Sequence, residues 1–424
     1  MKLAVVGGGW SGLAAAVRGT QAGHQVSLFE MSRQWGGRAR EVEVQGWSLD
    51  NGQHILIGAY SRTLALMATV GVDTSAVLQR QALELRYPDG RGLRMPRGPA
   101  WLMFGAAVLS CKGWSWGERL RLLFRAAAWV ARRFTCPADW TVDRLCQPLP
   151  AAVRQLLIDP LCVAALNTPA KTASATVFLR VLRDALFSGP GSADLLLPRQ
   201  SLGMLVPAPA VEWLTQRQSQ VLSGRRVNTL SPEGRGWLVD GERFDAVVLA
   251  CTSSEAARLA APHAPAWAES AAAMGYEPII TVYFECAGAR LPCPMMALVE
   301  GDDAPAQFAF DLGALGARPG VFAFVVSGAR QWVEKGLDVT GQAVLAQATD
   351  AFDAGVWPTA PKVIRVMAER RATFSCTPDL LRPGAIIAQR LFGAGDYIDG
   401  PYPATLEGAV RSGEACIALL HRLA

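Results

Sequence analysis

The order of apolar and polar positions in the first forty residues predicts a strand, a turn, a helix and a second strand. A short apolar run over Lys2–Val6 leads into six residues of which four are glycine. An alanine-rich segment over residues 13–22 is typical of a buried helix, and a second apolar run, Gln25–Phe29, ends at the acidic residue Glu30. Continuous apolar runs on either side of a helix indicate parallel strands that are buried on both faces.

Strand-like and helix-like segments alternate along the rest of the chain. The predicted strands lie in residues 41–48, 82–97, 225–230, 236–240, 244–251, 279–284, 295–299, 307–312, 321–327, 363–367, 385–388 and 391–396. The predicted helices lie in residues 61–71, 141–187, 209–220, 253–259, 340–352 and 403–421. The last strands and helix are expected to return to the N-terminal sheet.

We therefore predict an α/β protein with three parts. A Rossmann-like nucleotide-binding domain would comprise residues 1–60, 200–260 and 384–424. A mixed-sheet substrate domain would comprise residues 61–98 and 261–383, and a helical subdomain residues 99–199. At 424 residues the chain is long enough for two or three separate cores.

The helical subdomain begins with a segment, residues 99–135, that is both apolar and basic. Tryptophan, leucine and phenylalanine recur through it with Lys112 and five arginines, against Glu118 as the only acid. This composition is typical of a helix that contacts a membrane interface, although an ordinary helix whose arginines face water has it too. The longest apolar run, residues 101–111, is well short of the roughly 20 residues that a spanning helix needs.

Composition excludes several classes of function. Hydrophobic residues make up 51 % of the chain and charged residues 18 %. This composition is apolar enough for a hydrophobic pocket or a lipid-facing surface. A net charge of +5 does not suggest a nucleic-acid partner. The nine cysteines form no C-x-x-C pair and there are only four histidines, so neither a metal site nor a disulfide framework is expected. We expect a cytoplasmic protein, peripheral on the inner face of the membrane.

The glycine turn carries the first candidate chemistry. Gly7, Gly9 and Gly12 have the G-x-G-x-x-G spacing, in which the first glycine makes the turn, the second admits a pyrophosphate and the third lets helix pack on strand. The helix start offers unpaired N–H groups to phosphates, and Glu30 is placed to accept from ribose hydroxyls. A glycine turn without a ligand is the plain alternative. A signal peptide is disfavoured because the glycines and Ser11 interrupt the apolar stretch.

A second glycine pair after Glu30 makes the predicted identity of the ligand more specific. Gly36, Gly37 and Arg38 stand where flavoproteins of the amine oxidase and phytoene desaturase type carry the second half of their fingerprint, and the chain resembles that group at residues 5–40. The resemblance implies tightly bound FAD, with Arg38 near the pyrophosphate, in a domain of the glutathione reductase/amine oxidase type. A solvated surface arginine is the alternative for Arg38.

The far end of the chain carries a matching signature. In the resembled group the acid of a Gly-x-Gly-Asp turn, here Asp396, bonds the ribityl chain, and the next helix start faces the flavin's pyrimidine edge, where a helix dipole favours negative charge. The backbone at the position of Val227 would hold the adenine. The residues that we expect to contact FAD are Gly7, Gly9, Trp10, Ser11, Gly12, Glu30, Gly37, Arg38, Asn51, Gly52, Gln53, Val227, Gly395, Asp396, Ala404 and Thr405.

Residues 50–60 resemble one particular family within this group of flavoproteins. Asp-Asn-Gly-Gln-His at 50–54 and Gly-Ala-Tyr at 58–60, with residues 160–162 and 165–169, are similar to the squalene-associated FAD-dependent desaturases. These enzymes of hopanoid-making bacteria are hydroxysqualene dehydroxylases, and the likeness covers nearly the whole chain. It implies that reduced FAD replaces the hydroxyl group of hydroxysqualene by hydrogen to give squalene, a hydrocarbon of the bilayer.

The candidate catalytic residues are His54, Asp50 and Tyr402. His54 would protonate the leaving hydroxyl group or hold the acid that does so, with Asp50 in support, and Tyr402 would line the pocket with Asn51 and Gln53. A structural histidine is the alternative for His54, and a capping or turn acid is the alternative for Asp50.

Three rival functions stay open at this point. A carotenoid-type desaturase would oxidise its hydrocarbon, an amine oxidase would act on a different substrate class, and a flavin-binding membrane scaffold would have no turnover. The expected partners are a lipophilic isoprenoid substrate, a membrane surface and an electron donor that the sequence does not identify.

Overall fold

The computed structural model describes residues 1–44, 46–353 and 355–423, and two large sheets organise them. The strands of the first sheet are β1 (Lys2–Val6), β2 (Gln25–Phe29), β10 (Gln220–Leu222), β14 (Ala246–Leu249), β20 (Ile386–Ala388) and β21 (Leu391–Gly393). Their order is β10-β2-β1-β14-β21-β20, with numbering along the chain. All neighbours are parallel except β20 and β21, which are antiparallel.

Strand β1 lies inside this sheet, and helices cover both of its faces. Val5 stands opposite Leu28 of β2 and Val248 of β14. Leu3 and Val5 pack into one core and Ala4 and Val6 into the other, as the alternation of side chains along a strand requires. Burial on both faces explains the unbroken apolar runs, and the predicted βαβ unit is confirmed.

The helices around the first sheet are α1 (Trp10–Gln21), α2 (Ser61–Thr69), α10 (Leu202–Leu205), α11 (Pro207–Gln216), α12 (Ser253–Ala260), α13 (Pro265–Ala272) and α16 (Leu406–Leu423). Helix α16 crosses α1 so closely that a Cβ at Gly413 would lie 2.1 Å from the Ser11 carbonyl oxygen. The fully buried Glu407 carboxylate accepts from the backbone N–H of Thr63 at 2.9 Å and from Arg411 Nε at 2.7 Å, which fixes α16 to the start of α2.

Helices α1 and α16 begin at other residues than predicted. Helix α1 begins at Trp10, not at residue 13: Gly9, with a φ of −74° and a ψ of 177°, is the extended residue directly before the helix. Helix α16 begins at Leu406, not at Pro403, because Thr405 acts as its N-cap: its Oγ1 accepts from the Gly408 N–H at 3.0 Å.

The second sheet lies beside the first and was predicted with the correct five strands. These are β15 (Tyr276–Glu285), β16 (Met295–Ala297), β17 (Phe308–Asp311), β18 (Val321–Val326) and β19 (Lys362–Phe374), in the order β16-β17-β18-β15-β19. The expectation of mixed strand directions is wrong, since every pairing in this sheet is antiparallel. Apolar runs alone do not encode strand direction. Helices α14 (Arg330–Lys335) and α15 (Leu337–Ala351) follow β18, where only the second was predicted.

Smaller sheets and a group of helices complete the described residues. The remaining strands are β3 (Glu41–Val44), β4 (Trp47–Asp50), β5 (Leu56–Ile57), β6 (Leu78–Gln81), β7 (Glu84–Arg86), β8 (Gly92–Arg94), β9 (Leu195–Pro198), β11 (Leu230–Glu233), β12 (Gly236–Val239) and β13 (Glu242–Phe244). The remaining helices are α3 (Thr74–Val77), α4 (Ala100–Ser110), α5 (Trp116–Ala131), α6 (Val142–Cys146), α7 (Ala151–Val153), α8 (Asp159–Leu166) and α9 (Ala175–Phe187), with a π-helical turn, Arg154–Ile158, before α8.

The apolar and basic segment forms two packed helices, α4 and α5. Ser115 caps α5, and its side chain and that of Glu118 bond each other's backbone N–H groups in a capping box. Leu122 and Trp129 are buried and attach α5 to the rest of the protein through one side of the helix. Among the helices of the described residues, none has the length and apolar character needed to cross a membrane.

Candidate active site

One cavity of about 590 Å³ is lined by residues of both large sheets. Most of the predicted site residues line it: Gly7, Gly9, Trp10, Ser11, Glu30, Gly37, Arg38, Asn51, Gly52, Gln53, His54, Val227, Gly395, Asp396, Ala404 and Thr405. The volume falls in the range of about 300–1,000 Å³ that is usual for ligand pockets. The structure therefore brings together segments from the start, the middle and the end of the chain.

The glycine turn between β1 and α1 is built by close backbone approaches. Gly7 has a φ of +114°, and a Cβ on it would lie 2.6 Å from the Ala250 carbonyl oxygen. A Cβ on Gly12 would lie 1.8 Å from the Gly7 carbonyl oxygen. Gly12 therefore lies behind the cavity lining and serves to seat α1 against the end of β1, which is the packing role that its spacing predicts.

The two glycine segments meet at the cavity wall. The N–H of Gly36 donates to the Gly8 carbonyl oxygen at 2.9 Å, and a Cβ on Gly37 would lie only 3.2 Å from the Gly9 Cα. A side chain at Gly37 would therefore press against the backbone of the glycine turn. The wall is thus a backbone surface that an extended phosphate chain can approach.

Glu30 directly follows β2 and holds this wall in place. Its Oε2 accepts from the Gly8 N–H at 2.6 Å and its Oε1 accepts from the Ser32 N–H at 2.8 Å. Glu30 is only 8 % exposed, and it lines the cavity. Because a carboxylate offers about four lone-pair sites, each oxygen can accept a further bond from a hydroxyl group.

Arg38 and Asp396 form an ion pair across 358 residues of sequence. Arg38 also donates from Nη1 to the Ala372 carbonyl oxygen at 2.9 Å, which joins the glycine segment to β19. Burial alone would lower the pKa of Arg38, but the Asp396 carboxylate, together with Tyr276 and Glu369, outweighs it, so the pKa lies above the ordinary value. The ion pair brings the two predicted flavoprotein signatures to one point of the cavity, so a solvated surface position for Arg38 is excluded.

The cavity wall fits the pyrophosphate and ribose of FAD. Ser11 is 4 % exposed and lines the cavity at the first turn of α1, yet its Oγ has no hydrogen-bond partner within the part of the chain that the structure describes. A buried hydroxyl group without a partner costs free energy. A phosphate oxygen at the helix start would provide the partner, together with the free N–H groups of the first turn. Residues of the glycine turn and Ser11 would hold this end of the cofactor.

His54 lies at the junction of the cofactor wall and the second sheet. Its Nδ1 is 2.9 Å from the Gly52 carbonyl oxygen, so Nδ1 carries a hydrogen and, in the neutral ring, Nε2 carries the lone pair. Burial lowers the pKa of His54, the bond to Gly52 opposes this shift, and Arg38 adds to it. The ring is therefore neutral near pH 7, and its protonated form is a stronger acid than an ordinary imidazolium.

Asp50 and Tyr402 do not line this cavity. Asp50 Oδ1 accepts from the Leu202 N–H at 2.9 Å, at the start of α10, which agrees with the alternative of a capping acid. Burial raises the pKa of Asp50 to about 7, although the Leu202 bond lowers it. The Tyr402 ring lies between two guanidinium groups, 5.3 Å from Arg180 and 4.9 Å from Arg411. The expected pocket position of Tyr402 is thus wrong, because cation–π contacts hold the ring elsewhere.

Sequence reasoning missed the wall that the second sheet contributes. Met367, Glu369, Arg371 and Thr373 lie on one face of β19 and line the cavity, and Ala372 of the same strand lines it as well. The other wall residues of this sheet are Ile279 and Thr281 of β15, Phe308 and Phe310 of β17, and Val325 and Ser327 at the end of β18. Strands β17 and β18 are buried on both faces, so an alternation of apolar and polar residues does not reveal which face meets the cavity.

Polar bonds connect this wall to the cofactor side. The Asn51 side chain donates to Glu369 Oε2 at 2.9 Å. Asn167, which ends α8 in a left-handed conformation with a φ of 47°, donates to Thr373 Oγ1 at 2.9 Å and accepts from the Gly328 N–H at 2.7 Å. Residues 51 and 167 therefore fix the two sheets and the helical region around one cavity.

Comparison with known proteins identifies the family of the chain. A family model described as flavin containing amine oxidoreductase matches residues 10–416. Hydroxysqualene dehydroxylases of Rhodopseudomonas palustris and Sinorhizobium fredii are 29 % and 27 % identical, over 98 % and 96 % of this chain and 97 % and 95 % of their own lengths. An oxidoreductase structure from Methanosarcina mazei has a TM-score of 0.77 at 15 % identity, covering 99 % of this chain and all of that one, and shares its fold.

The predicted resemblance and the predicted cofactor are both confirmed by these matches. The matched residues include the first turn of α1 and most of α16, the two helices whose starts line the cavity. The chain therefore belongs to the flavin containing amine oxidoreductase family and is an FAD-dependent oxidoreductase.

Proposed function

We propose that this protein acts in isoprenoid metabolism and reductively removes the hydroxyl group of hydroxysqualene to give squalene. The supporting observation is a single cavity in which one histidine lies between a cofactor wall of glycines and an apolar wall of the second sheet. The apolar wall consists of Ile279, Phe308, Phe310, Val325 and Met367. It suits a hydrocarbon chain, and this agrees with the two relatives that match nearly the whole chain, which are hydroxysqualene dehydroxylases.

The reaction needs a proton on the leaving oxygen and a hydride on carbon, so that R–OH becomes R–H and water. Bound FAD in its reduced form supplies the hydride. The chain's own contribution is the proton: Nδ1 of His54 is held by Gly52, so Nε2 is the atom at which a transferable proton is gained and lost. The lowered pKa of His54 makes the protonated ring a better donor to a hydroxyl group. The apolar wall excludes water that would compete for the developing cation.

The direct test is single turnover with the holoenzyme under anaerobic conditions. Protein reduced with dithionite and freed of excess reductant is mixed with hydroxysqualene. We expect squalene in a one-to-one ratio with flavin that is re-oxidised, the latter followed by absorbance. New conjugated double bonds from phytoene and oxidised enzyme would favour a carotenoid-type desaturase, and peroxide formed from amines in air would favour an amine oxidase. Absence of turnover with any of these would leave the flavin-binding scaffold.

We also propose that α4 and α5 dock on an anionic bilayer, from which the hydrocarbon substrate is taken. Trp116, Leu120 and Phe124 form one stripe along α5 at four-residue spacing, and they are 65 %, 46 % and 74 % exposed. Trp101, Leu102 and Leu109 of α4 are exposed as well. Exposed basic side chains accompany them: Lys112, Arg121, Arg132 and Arg133. An apolar stripe with basic neighbours is complementary to an anionic interface.

Replacing Trp116, Leu120 and Phe124 together by glutamate is expected to abolish binding to anionic vesicles. Burying each of these side chains contributes about 1.5–3 kcal/mol, so the loss of three corresponds to a hundredfold weaker partition or more. The measurement is co-sedimentation with phosphatidylglycerol vesicles at low and high salt. Val339→Glu, an exposed apolar position on α15, is the matched control and should bind like the wild type. Unchanged sedimentation of the triple variant would contradict the proposal.

A further inference from the structure

We infer that Thr281 binds the hydroxyl group of the substrate and makes the site selective for an alcohol over the corresponding hydrocarbon. The inference rests on the proposed function for the identity of the ligand, and on the geometry of β15 for the site itself.

The side chain of Thr281 is a buried hydrogen-bonding group without a partner. The residue is 1 % exposed and lines the cavity, and its Oγ1 has no hydrogen-bond partner among the residues that the structure describes. Most buried hydroxyl groups are paired, because leaving one unpaired costs about 1–3 kcal/mol. A bound ligand with a polar atom at this point would remove that cost.

The surroundings of Thr281 define what kind of ligand this is. Thr281 stands directly opposite Val325 on one neighbouring strand and Met367 on the other, and Phe308 is paired with Val325 one strand further. All four residues line the cavity. The row across the sheet thus reads Phe308, Val325, Thr281 and Met367, with one hydroxyl group among three apolar side chains. A complementary ligand is a hydrocarbon that carries a single polar oxygen.

Thr281 also faces the same small space as His54. Gly52 has a φ of +95°, and a Cβ built on it would lie 3.9 Å from Thr281 Oγ1 and 3.8 Å from His54 Cε1. The two side chains therefore border one point of the cavity, close enough for one hydroxyl group, alone or with one water molecule, to reach both. Thr281 would hold the oxygen that His54 protonates.

The arrangement also has a consequence for release of the product. Once the oxygen leaves as water, the hydrocarbon has nothing to offer to Thr281. A site that is built to bond a hydroxyl group binds the analogue without it more weakly, since its own polar group is then left unpaired. Squalene should therefore bind more weakly than hydroxysqualene.

The test is a ligand titration that involves no turnover. Hydroxysqualene and squalene are titrated separately into the oxidised holoenzyme, and binding is followed by the perturbation of flavin absorbance. We expect the wild type to bind the alcohol at least about tenfold more tightly than the hydrocarbon. Thr281→Val should lose this preference through weaker binding of the alcohol only, and Thr281→Ser should keep it. Thr349→Val, at an exposed position on α15, is the matched control and should behave as the wild type.

The outcomes separate this inference from the proposed function. If the wild type binds both ligands equally, or if Thr281→Val keeps the preference, Thr281 does not bind the hydroxyl group. Loss of FAD or a shifted flavin spectrum in unliganded Thr281→Val would show that the hydroxyl group serves the cofactor, which also overturns the inference. If Thr281 confers the preference but the reduced enzyme forms no squalene, the site assignment stands and the proposed reaction fails.

Discussion

Replacing His54 by alanine is expected to lower the rate of hydroxysqualene turnover by about 10²–10⁴-fold while FAD remains bound. His54 contacts the cavity through its ring, and its hydrogen bond is to Gly52 of its own segment and not to the glycine turn or to Glu30. The cofactor wall should therefore survive the substitution. The measurement is the single-turnover rate of flavin re-oxidation with the product identified, beside the flavin content of the purified protein.

The matched control for this variant is His263→Ala. His263 is also half-buried and its Nε2 is 2.8 Å from the Leu230 carbonyl oxygen, but it lies outside the cavity lining. The two substitutions remove the same ring and the same kind of bond to a backbone carbonyl. If both variants turn over at the wild-type rate, His54 is a structural histidine and the proton comes from another source.

The pH dependence gives a second readout on His54. Its pKa lies below 6.5 because of burial, and the active form in the proposed reaction is the protonated ring. The protonated fraction falls as pH rises through this lowered pKa, so the turnover rate should be highest on the acid side and fall toward neutral pH. In the alanine variant this part of the pH profile should be flat. A rate that rises with pH over the same window would indicate a base and not an acid.

The N-terminal signature could be predicted from the sequence because its parts are local. A strand, a glycine turn and a helix lie within about twenty residues, and the spacing of Gly7, Gly9 and Gly12 has one backbone solution. The family resemblance placed Arg38 and Asp396 on the same cofactor, but their ion pair was not predicted. No periodicity relates positions 358 residues apart, since the sheet order that joins them is a property of the whole fold.

For the polar segment from Asp50 to His54, the sequence pattern does not predict the direction in which each side chain points. All five residues are candidates by type, yet the turn at Gly52 sends neighbouring side chains in different directions. Asp50 points to the start of α10 while His54 faces the cavity. Thr281 was missed for a related reason. The strand around it is apolar on both faces, so the alternation that would reveal its direction is absent.

Gly12→Ala is expected to yield protein that folds but does not retain FAD. The new Cβ would lie 1.8 Å from the Gly7 carbonyl oxygen, a backbone atom that cannot rotate away, so α1 must move from the end of β1. Overpacking of this kind costs about 1–3 kcal/mol, and here the displacement falls on the helix start that receives the pyrophosphate. We expect FAD binding to weaken by a hundredfold or more, measured as flavin content after purification and as the Kd on reconstitution of the apoprotein.

A substitution at a helical glycine with free space around it distinguishes the effect of steric crowding from the effect of losing a glycine. Gly105 lies within α4, and a Cβ on it would meet nothing within 4 Å. Gly105→Ala should retain FAD as the wild type does, since alanine favours the helix by about 1 kcal/mol. Circular dichroism of both apoproteins establishes that each is folded. If folded Gly12→Ala retains wild-type FAD affinity, α1 can shift without disturbing the phosphate site. The contact between Gly12 and Gly7 would then stabilise the fold without shaping the cofactor wall.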